Sequence, residues 1–520
     1  MTERHNAVFD LLIVGGGING VGIARDAAGR GLNVALCEKD DLSSGTSWAS
    51  SKLIHGGLRY LEHYEFRLVR ESLAEREVLL HIAPHLVHPL RFILPHVSEL
   101  RPAWIIRAGL LLYDHLSRRV SLPGSAWLNL NKSPFGAGLK PELRTGFSYF
   151  DCQVDDARLV IANARAAAAL GAKIMVRTRC LSASVVGGTW QADLEDCNTG
   201  ARTTVKARAL INVAGPWVAQ VRGSIAGGRA GRPVRLIKGS HIVVPRVHNG
   251  EHALILQNDD DRVIFVIPFE GQYSLIGTTE VEVEGVPENL AISEQEIHYL
   301  CRAMARYLSR PPSERDVVWS FAGLRPLFGE DGGSLSEITR DYELDVDLVA
   351  GETPVLTVYG GKLTTYRCLA EHVLAKLKPH LPHMKAPWTH RVTLPGGDVA
   401  GGDLGRLVQH LANERSRLPH ELLTELVHRH GTLAAEVLGD AQEVQALGVH
   451  FGADLYSREV DYLIDYEWAR SADDVLWRHT KAGLRLSRAQ QAQVADYLAQ
   501  RFNQHLRKPP INSGTRTDFG

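Results

Sequence analysis

The sequence has few cysteines, no long hydrophobic run and almost no net charge. Its 520 residues include six cysteines, none of them in a C-x-x-C pair. Such scattered thiols are typical of buried side chains in a reducing compartment. The formal net charge of −1 at pH 7 gives no overall field that would attract nucleic acid. No H-E-x-x-H motif or Cys/His metal-binding spacing is present, so we expect no metal. No basic stretch with interleaved aromatics is present, so we expect no nucleic-acid partner.

No apolar segment reaches the roughly 18 to 20 uncharged residues that span a bilayer. The nearest is Trp104–Tyr113, which is interrupted by Arg107 and flanked by Arg101 and Arg118–Arg119. Two interpretations stay open: a helix in a membrane interface, or a core helix with solvated arginines at its ends. The polar N-terminal residues do not resemble a signal peptide.

The most informative segment is glycine-rich and lies near the N-terminus. Leu11–Val14 predicts a buried strand, residues 15–20 a tight turn, and Val21–Gly29 a helix. In such a turn Gly15 permits the bend, Gly17 lets a pyrophosphate approach, and Gly20 lets helix and strand pack closely. The helix N-terminus then offers its amides to the phosphates. The segment therefore predicts a dinucleotide site.

Later segments extend this predicted site. The next strand, Leu32–Cys37, is followed by Glu38, whose carboxylate would bind ribose hydroxyls and so favour FAD or NAD over NADP. Residues 43–60 combine small hydroxyl side chains with paired glycines, a composition that suits a close approach to a cofactor. Two further strands end in turns at Gly215 and at Gly360-Gly361. Turns at the carboxyl ends of parallel strands are where this architecture binds ligands.

The hydrophobic periodicity changes along the chain and indicates regions of different structure. Phe66–Ile82 has helical spacing, and an alanine-rich helix at 159–170 precedes a short strand at 172–176. Residues 181–208 alternate as a meander, and 234–279 alternate as an antiparallel sheet inserted as a cap. Beyond about residue 390, amphipathic patterns at 404–411, 422–427 and 460–477 predict a separate helical domain.

Five motifs together resemble the FAD-dependent glycerol-3-phosphate dehydrogenases, above all their aerobic, respiratory branch. They are Leu11–Gly20, Ser51–His63, Gly239–His241, Gly323–Pro326 and Gly360–Tyr366. The resemblance implies bound FAD and oxidation of sn-glycerol 3-phosphate to dihydroxyacetone phosphate, with electrons passed to membrane quinone. Because nothing in the sequence indicates a covalent bond to FAD, we expect tight non-covalent binding. It also implies a cytoplasmic protein attached peripherally to the inner face of the cytoplasmic membrane, and leaves a homodimer open.

The fold implied is α/β, with a Rossmann-like FAD-binding domain interleaved with an antiparallel-sheet substrate cap and followed by an all-helical domain. We expect the first two parts in residues 1–390, with cap segments at roughly 85–150 and 234–335. The C-terminal helical domain would occupy residues 391–503, and 504–520 would form a loose tail.

The resemblance also assigns roles to individual residues. His241 is the candidate base, because a neutral imidazole accepts a proton near pH 7. Arg325 and Arg340 would hold the phosphate, and Lys362 would stabilise the reduced, anionic flavin. Arg59, Tyr60, Arg325, Arg340 and Lys362 form the expected substrate set. The expected cofactor set is Gly15, Gly17, Ile18, Asn19, Gly20, Glu38, Thr46, Ser50, Ser51, Lys52, His55, Gly56, Gly57, Val176, Gly215, Gly361, Lys362, Leu363 and Thr364.

Three other functions fit the same motifs. A glycerol-3-phosphate oxidase would use the same fold and substrate but reduce oxygen. An amine or amino-acid oxidase would need a carboxylate clamp and fewer cations. A non-catalytic protein could keep FAD as a scaffold, although the presence of the whole cationic set argues against it.

Overall fold

The computed structural model describes residues 8–97, 99–117, 121–227, 231–260, 262–287, 290–327 and 341–507. The first part of the chain forms β1 (Phe9–Val14), α1 (Ile18–Gly29), β2 (Val34–Cys37), β3 (Leu53–Ile54), α2 (Phe66–Ile82), β4 (Val87–Pro95), α3 (Ala103–His115), β5 (Ala126–Asn129), β6 (Thr145–Val154) and α4 (Asp156–Ala169). The middle part forms β7 (Lys173–Met175), β8 (Thr178–Val186), β9 (Thr189–Asp196), β10 (Arg202–Asn212), α5 (Val218–Gly223), β11 (Arg235–Pro245), β12 (Ala253–Gln257), β13 (Val263–Phe269), β14 (Tyr273–Gly277), β15 (Val281–Val283), α6 (Glu294–Ala305), β16 (Trp319–Leu327), β17 (Glu343–Val349), β18 (Thr353–Tyr359) and α7 (Tyr366–Leu377).

The last part of the chain is mainly helical. It forms α8 (Leu404–Glu414), α9 (His420–His430), α10 (Ala434–Leu438), β19 (His450–Gly452), β20 (Leu455–Tyr456), α11 (Ser457–Glu467), a π-helical segment (Asp474–His479) and α12 (Arg488–Arg507). Its buried side chains, from Val408 to Leu498, form a hydrophobic cluster of their own.

The first sheet has the strand order β17-β18-β10-β1-β2-β7. The pairs β18–β10, β10–β1, β1–β2 and β2–β7 are parallel. Helices α1, α4 and α7 cover one face, where apolar residues such as Val21, Leu159 and Leu369 are buried. The antiparallel ribbon β8–β9 packs Trp190 and Ala192 against the other face. The predicted α/β dinucleotide-binding fold is confirmed.

The second sheet has the order β15-β11-β14-β13-β12-β4-β6-β3, with β16 paired to β11 and β5 to β6. Most of its pairs are antiparallel, as the alternation at 234–279 predicts. The exception is β12, which runs parallel to β4 through the pairing of Ala253 with Phe92. The cap is therefore a mixed sheet rather than a purely antiparallel one, because its strands come from distant parts of the chain.

The C-terminal helices differ from the sequence pattern in three places. The helix predicted over 460–477 is divided at Trp468, whose φ of 63° ends α11. The domain predicted as all-helical also contains the short hairpin β19–β20. Helix α12 continues to Arg507, past the predicted start of the tail at 504, and the tail's later residues lie outside those described.

Helix α3 contains the apolar segment singled out in the sequence. Ile106, Leu110 and Tyr113 are buried on its inner face, whereas Trp104 is 71% exposed and Leu112 43% exposed. The helix thus belongs to the core on one side and presents apolar side chains to solvent on the other. Within the described ranges, no helix is long and apolar enough to cross a membrane.

Candidate active site

A cavity of about 350 Å³ lies where the parallel strands β1, β2, β10 and β18 end. Open α/β sheets bind ligands at this edge. The cofactor candidates that line it are Gly15, Gly17, Ile18, Asn19, Glu38, Thr46, Ser50, Ser51, His55, Gly215, Gly361, Lys362, Leu363 and Thr364. The fold thus brings together residues from five segments, which follow β1, β2, β3, β10 and β18.

The glycine-rich turn is closely packed at two positions. Gly15 has a φ of +124°, and a Cβ there would lie 2.6 Å from the Val213 carbonyl oxygen. A Cβ on Gly20 would lie 1.9 Å from the Gly15 carbonyl oxygen, so Gly20 supports the turn from beneath rather than lining the cavity. Both positions require glycine for the reasons that the sequence predicts.

Glu38 is held in place at the end of β2. Its carboxylate accepts hydrogen bonds from the backbone amides of Gly16 (2.7 Å) and Asp40 (2.9 Å). Burial raises the pKa of Glu38, and the Asp40 and Gly16 amides act in the opposite direction by binding its charged form. The side chain lines the cavity next to the phosphate-binding turn, where a ribose would lie.

Lys52 lies behind the cavity wall. Its Nζ donates to Asp156 Oδ1 (2.7 Å) and to the Trp48 carbonyl oxygen (2.8 Å). Ser50 Oγ donates to the other oxygen of the same carboxylate at 2.7 Å. Because Lys52 and Asp156 are both buried, the pair fixes the segment that carries Ser50 and Ser51. The structure thus gives Lys52 a supporting position rather than direct access to the cavity.

His241 also lies one layer behind the wall. Its Nε2 is 2.9 Å from Ser51 Oγ, and its ring stacks on Phe321 with a centroid distance of 5.0 Å. A Cβ on Gly277 would lie 2.2 Å from His241 Cδ2, so only glycine leaves room for the ring. Burial, followed by the charges of Arg325 and Lys52, lowers the pKa of His241 well below its usual value. The imidazole is therefore neutral at pH 7, and Ser51 separates it from the cavity.

His55 is the predicted histidine that lines the cavity directly. Its ring meets Phe265 edge-on at 6.2 Å between centroids, and its backbone N–H donates to Thr364 Oγ1 at 3.3 Å. This contact joins the segment after β3 to the turn after β18. His55 is thus a second imidazole in addition to His241, and it lines the cavity itself.

Three of the predicted substrate residues line the cavity: Tyr60, Arg325 and Lys362. Lys362 Nζ lies 3.7 Å from the centroid of the Tyr60 ring, which is the geometry of a cation–π contact. The Arg325 guanidinium donates to Thr278 Oγ1 (3.1 Å) and to Glu280 Oε1 (3.4 Å). Two cations therefore line the same cavity, Arg325 from β16 and Lys362 from the turn after β18.

Other predicted residues do not line the cavity in the part of the chain that the structure describes: Gly56, Gly57, Arg59 and Val176. The Gly56 N–H donates to the Tyr113 hydroxyl at 2.8 Å, on the side facing α3. Gly57 precedes a short 3₁₀ helix, Leu58–His63, on which Arg59 is half-buried. Val176 packs against the core of the parallel sheet. Arg340 lies outside the described residues.

Several cavity residues were not predicted from the sequence. They include Thr178, Arg179, Trp217, Phe265 and Thr278, whereas Ser47 lies within the predicted segment 43–60. Ser47 Oγ accepts a hydrogen bond from the Ile18 N–H at 3.0 Å and so caps the phosphate-binding turn. Thr178 and Arg179 follow the end of β7, so the short strand predicted at 172–176 could have indicated them. Phe265 and Thr278 come from the cap, and no local pattern indicates them.

Metal-binding side chains do not cluster in the described ranges. No three His, Cys, Asp or Glu side chains there lie close enough together to hold a metal ion.

Comparison with known families identifies the class of protein. The model of the FAD dependent oxidoreductase family matches residues 10–367. The model of the C-terminal domain of alpha-glycerophosphate oxidase matches residues 387–508. The chain belongs to the FAD-dependent oxidoreductases, as its strand order and glycine-rich turn indicate.

Within that class it belongs to the family of the FAD-dependent glycerol-3-phosphate dehydrogenases. It is 50% identical over 506 residues to the glycerol-3-phosphate dehydrogenase of Pseudomonas aeruginosa, with 97% of each chain covered. It is also 50% identical over 504 residues to the aerobic glycerol-3-phosphate dehydrogenase of Escherichia coli, covering 96% of this chain and 98% of that protein. The D-erythritol 1-phosphate dehydrogenase of Brucella abortus is 48% identical over 488 residues, which cover 94% and 97% of the two chains.

FAD is the cofactor, and the cavity suits it. The glycerol-3-phosphate dehydrogenase of Bacillus halodurans, solved in complex with FAD, matches with a TM-score of 0.75 and 25% identity, over 96% of this chain and 95% of that one. In the present structure, the turn at Gly15 leaves no room for a Cβ, and the Glu38 carboxylate is fixed beside it. A pyrophosphate and a ribose fit these two features.

Proposed function

We propose that this protein oxidises sn-glycerol 3-phosphate to dihydroxyacetone phosphate and passes the electrons to a membrane quinone. The observation that carries this proposal is that Arg325 and Lys362 line the same cavity as the dinucleotide-binding turns. An alcohol that bears a phosphate needs cations beside the flavin, whereas an amine oxidase has no need for two of them. The names of the relatives support the same substrate.

Arg325 is the proposed phosphate ligand. A guanidinium makes bidentate, charge-assisted hydrogen bonds to phosphate oxygens, and it stays charged at any working pH. Arg59 and Arg340 are proposed as further contacts on the basis of the family resemblance. Binding a phosphate that takes no part in the reaction positions the carbon that does react.

FAD supplies the redox chemistry by accepting a hydride from the substrate carbon. The protein must accept the hydroxyl proton. We assign that role to His241 acting through Ser51: the substrate hydroxyl gives its proton to Ser51 Oγ, whose own proton passes to His241 Nε2. The 2.9 Å contact between these two atoms and the neutral state of the imidazole support this path. Lys362 is assigned the stabilisation of negative charge on the reduced flavin.

Delivery of electrons to a quinone requires contact with the membrane that holds it. The exposed apolar face of α3, with Trp104, Ile105, Leu111 and Leu112, is the proposed contact. An apolar helical face that carries a tryptophan is typical of a helix lying in a membrane interface. Together with the family resemblance, this face supports the proposal that the protein attaches peripherally to the inner face of the cytoplasmic membrane.

An anaerobic experiment tests the proposed reaction. The yellow holoenzyme is mixed with glycerol 3-phosphate, the flavin absorbance is followed, and a soluble quinone or air is then admitted. Bleaching followed by rapid recovery with quinone, and slow recovery in air, is the expected result. Rapid recovery in air with formation of peroxide would identify an oxidase instead, and a flavin that stays oxidised would exclude the substrate.

D-erythritol 1-phosphate is the second candidate substrate, because a relative named for it is 48% identical to this chain. It has one carbon more than glycerol 3-phosphate and carries the same phosphate. The anaerobic rate of flavin bleaching is measured with each of the two phosphates, and with glycine as a control for amino-acid oxidation. The compound that bleaches the flavin fastest is the preferred substrate. Faster bleaching with the four-carbon phosphate would replace the substrate assignment but keep the phosphate clamp.

A further inference from the structure

Among the segments through which the C-terminal domain contacts the rest of the molecule is a short one, residues 474–481, here called the docking segment. It begins with the π-helical turns Asp474–His479, a rare geometry that often marks functional positions. The Asp474 carboxylate accepts hydrogen bonds from Arg177 at 2.9 Å and from Arg478. Arg478 Nε donates to Asp41 at 2.9 Å. Asp41, Asp474 and Arg478 are nearly or fully buried.

Asp41 and Arg177, which form ion pairs with the docking segment, both lie next to the cavity. Asp41 lies in the middle of the loop whose neighbours on either side, Glu38–Asp40 and Ser44–Thr46, line the cavity. Arg177 immediately precedes Thr178, which also lines it. The Arg177 N–H donates to the Asp40 carbonyl oxygen at 3.0 Å, so the loop and the turn are joined to each other. The docking segment therefore holds the two chain segments that flank Glu38.

These segments adopt strained backbone conformations. Ser43, Arg177 and Lys481 have φ values of 69°, 52° and 56°, a region that residues with a Cβ seldom adopt. Such conformations persist only where the surroundings fix them. Arg177 is fixed by Asp474, and Lys481 by its ion pair with Asp155. Without the C-terminal contacts, the loop and the turn would relax towards other conformations.

The docking segment also reaches the cap. The ring of Trp477 stacks on Trp319 of β16, with centroids 4.8 Å apart and planes 18° from parallel. Trp319 in turn meets Phe321, whose ring covers His241. One segment of eight residues thus contacts the loop at the ribose site, the turn after β7 and the strand that carries Arg325.

We propose that the docking segment holds the FAD-binding loop in its binding conformation, so that the C-terminal domain determines how tightly FAD is retained. Asp474 and Arg478 are positioning residues in this proposal, since neither lines the cavity. It concerns FAD alone and holds whichever phosphate is the substrate.

The rate of FAD release from the holoenzyme tests the proposal. Arg177→Gln and Arg478→Gln each remove one link between the docking segment and the loop or turn. Free flavin fluoresces on release, so dilution of each holoenzyme gives the dissociation rate without any assay of activity. We expect each variant to release FAD at least roughly tenfold faster than the unmodified protein, because each loses hydrogen bonds between charged groups. Saturating FAD should restore the same visible spectrum.

Arg165→Gln is the matched control. Arg165 on α4 also contacts the C-terminal domain, through Tyr462 and Glu436, but it does not touch the loop or the turn. This variant should lower the melting temperature of the holoenzyme yet leave FAD release within roughly twofold of the original rate. Equal acceleration in the control, or unchanged release in both test variants, would overturn the proposal. Should Arg478→Gln fail to fold, Arg177→Gln decides alone, because Asp474 keeps its bonds to Arg478 and to two backbone amides.

Discussion

Arg325 is the residue on which the proposed substrate depends most. It reaches the cavity from β16, and Thr278 and Glu280 hold its guanidinium in place. Arg325→Ala should raise KM for glycerol 3-phosphate roughly 10- to 100-fold, since hydrogen bonds to charged groups contribute about 1.5–3 kcal/mol. Steady-state kinetics with a soluble quinone measures this effect, and the visible spectrum shows whether FAD stays bound.

A nearby arginine provides the control for that substitution. Arg235 on β11 pairs with Glu282 at 2.6 Å and does not line the cavity. Arg235→Ala should leave KM unchanged. Equal KM values for Arg325→Ala and the unmodified enzyme would remove Arg325 from the phosphate site.

Gly15 makes a prediction about the cofactor rather than the substrate. A Cβ there would lie 2.6 Å from the Val213 carbonyl oxygen, and the φ of +124° disfavours any other residue. Gly15→Ala, like the larger Gly15→Val, should therefore yield colourless protein without FAD. Gly223→Ala is the control, because a Cβ at that position meets nothing within 4 Å. The ratio of flavin to protein absorbance compares them, and a yellow Gly15→Ala protein would refute this account of the turn.

Two histidines compete for the role of base. His241 lies behind Ser51, whereas His55 lines the cavity. If His241 is the base, His241→Gln should slow anaerobic flavin reduction roughly 10²- to 10⁴-fold, with a far smaller effect of His55→Gln. Rapid-mixing measurements at saturating glycerol 3-phosphate give both rates. The reverse order would transfer the role to His55.

At the scale of elements, the π-helical segment ends in a buried histidine between two carboxylates. His479 Nδ1 lies 3.2 Å from Glu467 Oε2, and Nε2 lies 3.6 Å from Asp41 Oδ2. Burial by itself lowers the pKa of His479, but the two carboxylates outweigh it and raise the pKa above the usual value of about 6.5. Arg478 and Arg158 also pair with these carboxylates.

The raised pKa predicts how docking of the C-terminal domain depends on pH. A group whose pKa is higher in the folded state contributes stability in full below its unfolded pKa, and this is lost as the pH rises through the folded value. As the pH rises from about 6.5, the usual histidine value, through the higher folded value, the melting temperature of the holoenzyme should therefore fall relative to that of His479→Gln. Differential scanning fluorimetry at several pH values measures the difference. Parallel curves for the two proteins would show that His479 does not carry this proton.

Elements with strong local signals were predictable from the sequence. The spacing of apolar residues and the position of Pro84 predict α2 with the bounds that the structure has, Phe66–Ile82. The glycines of the first turn likewise locate β1 and α1. The division of the predicted 460–477 helix was not predictable, because Trp468 is an ordinary helical residue whose left-handed conformation depends on its tertiary surroundings.

In the candidate site, too, features with a local sequence signal were predictable and those that depend on tertiary contacts were not. Turns at the ends of parallel strands were predictable, since strand order and glycine position specify them. The supporting position of Lys52 was not, because it depends on Asp156, which lies 104 residues away in sequence. The position of His241 behind Ser51 likewise results from the pairing of β11 with β14 and β16.

At the scale of the whole molecule, the C-terminal helices and the parallel sheet each have a hydrophobic cluster of their own. Buried ion pairs such as Arg158 with Glu467 connect the two parts. Such pairs add little net stability but are costly to break one partner at a time, so they favour one fixed arrangement. The domain boundaries near residues 390 and 503 stay predictions.

The outer face of α3 gives the prediction that tests the proposed membrane attachment. Trp104 is 71% exposed and Leu112 43% exposed, and both lie on the face opposite the buried Ile106 and Leu110. The double variant Trp104→Ser, Leu112→Ser should lower the affinity for anionic phospholipid vesicles at least roughly tenfold, since each buried apolar side chain contributes about 1.5–3 kcal/mol. Co-sedimentation with vesicles measures binding, while quinone reduction in detergent should persist because the cavity is untouched.

The control for this variant removes apolar surface elsewhere. Val318 and Val449 are each 53% exposed and lie outside α3. Their replacement by serine should leave vesicle binding unchanged if α3 is the contact surface. Equal binding by the α3 variant and the unmodified protein would show that another face meets the membrane. Equal loss in both double variants would mean that vesicles bind exposed apolar side chains wherever these lie, and the assignment to α3 would fail.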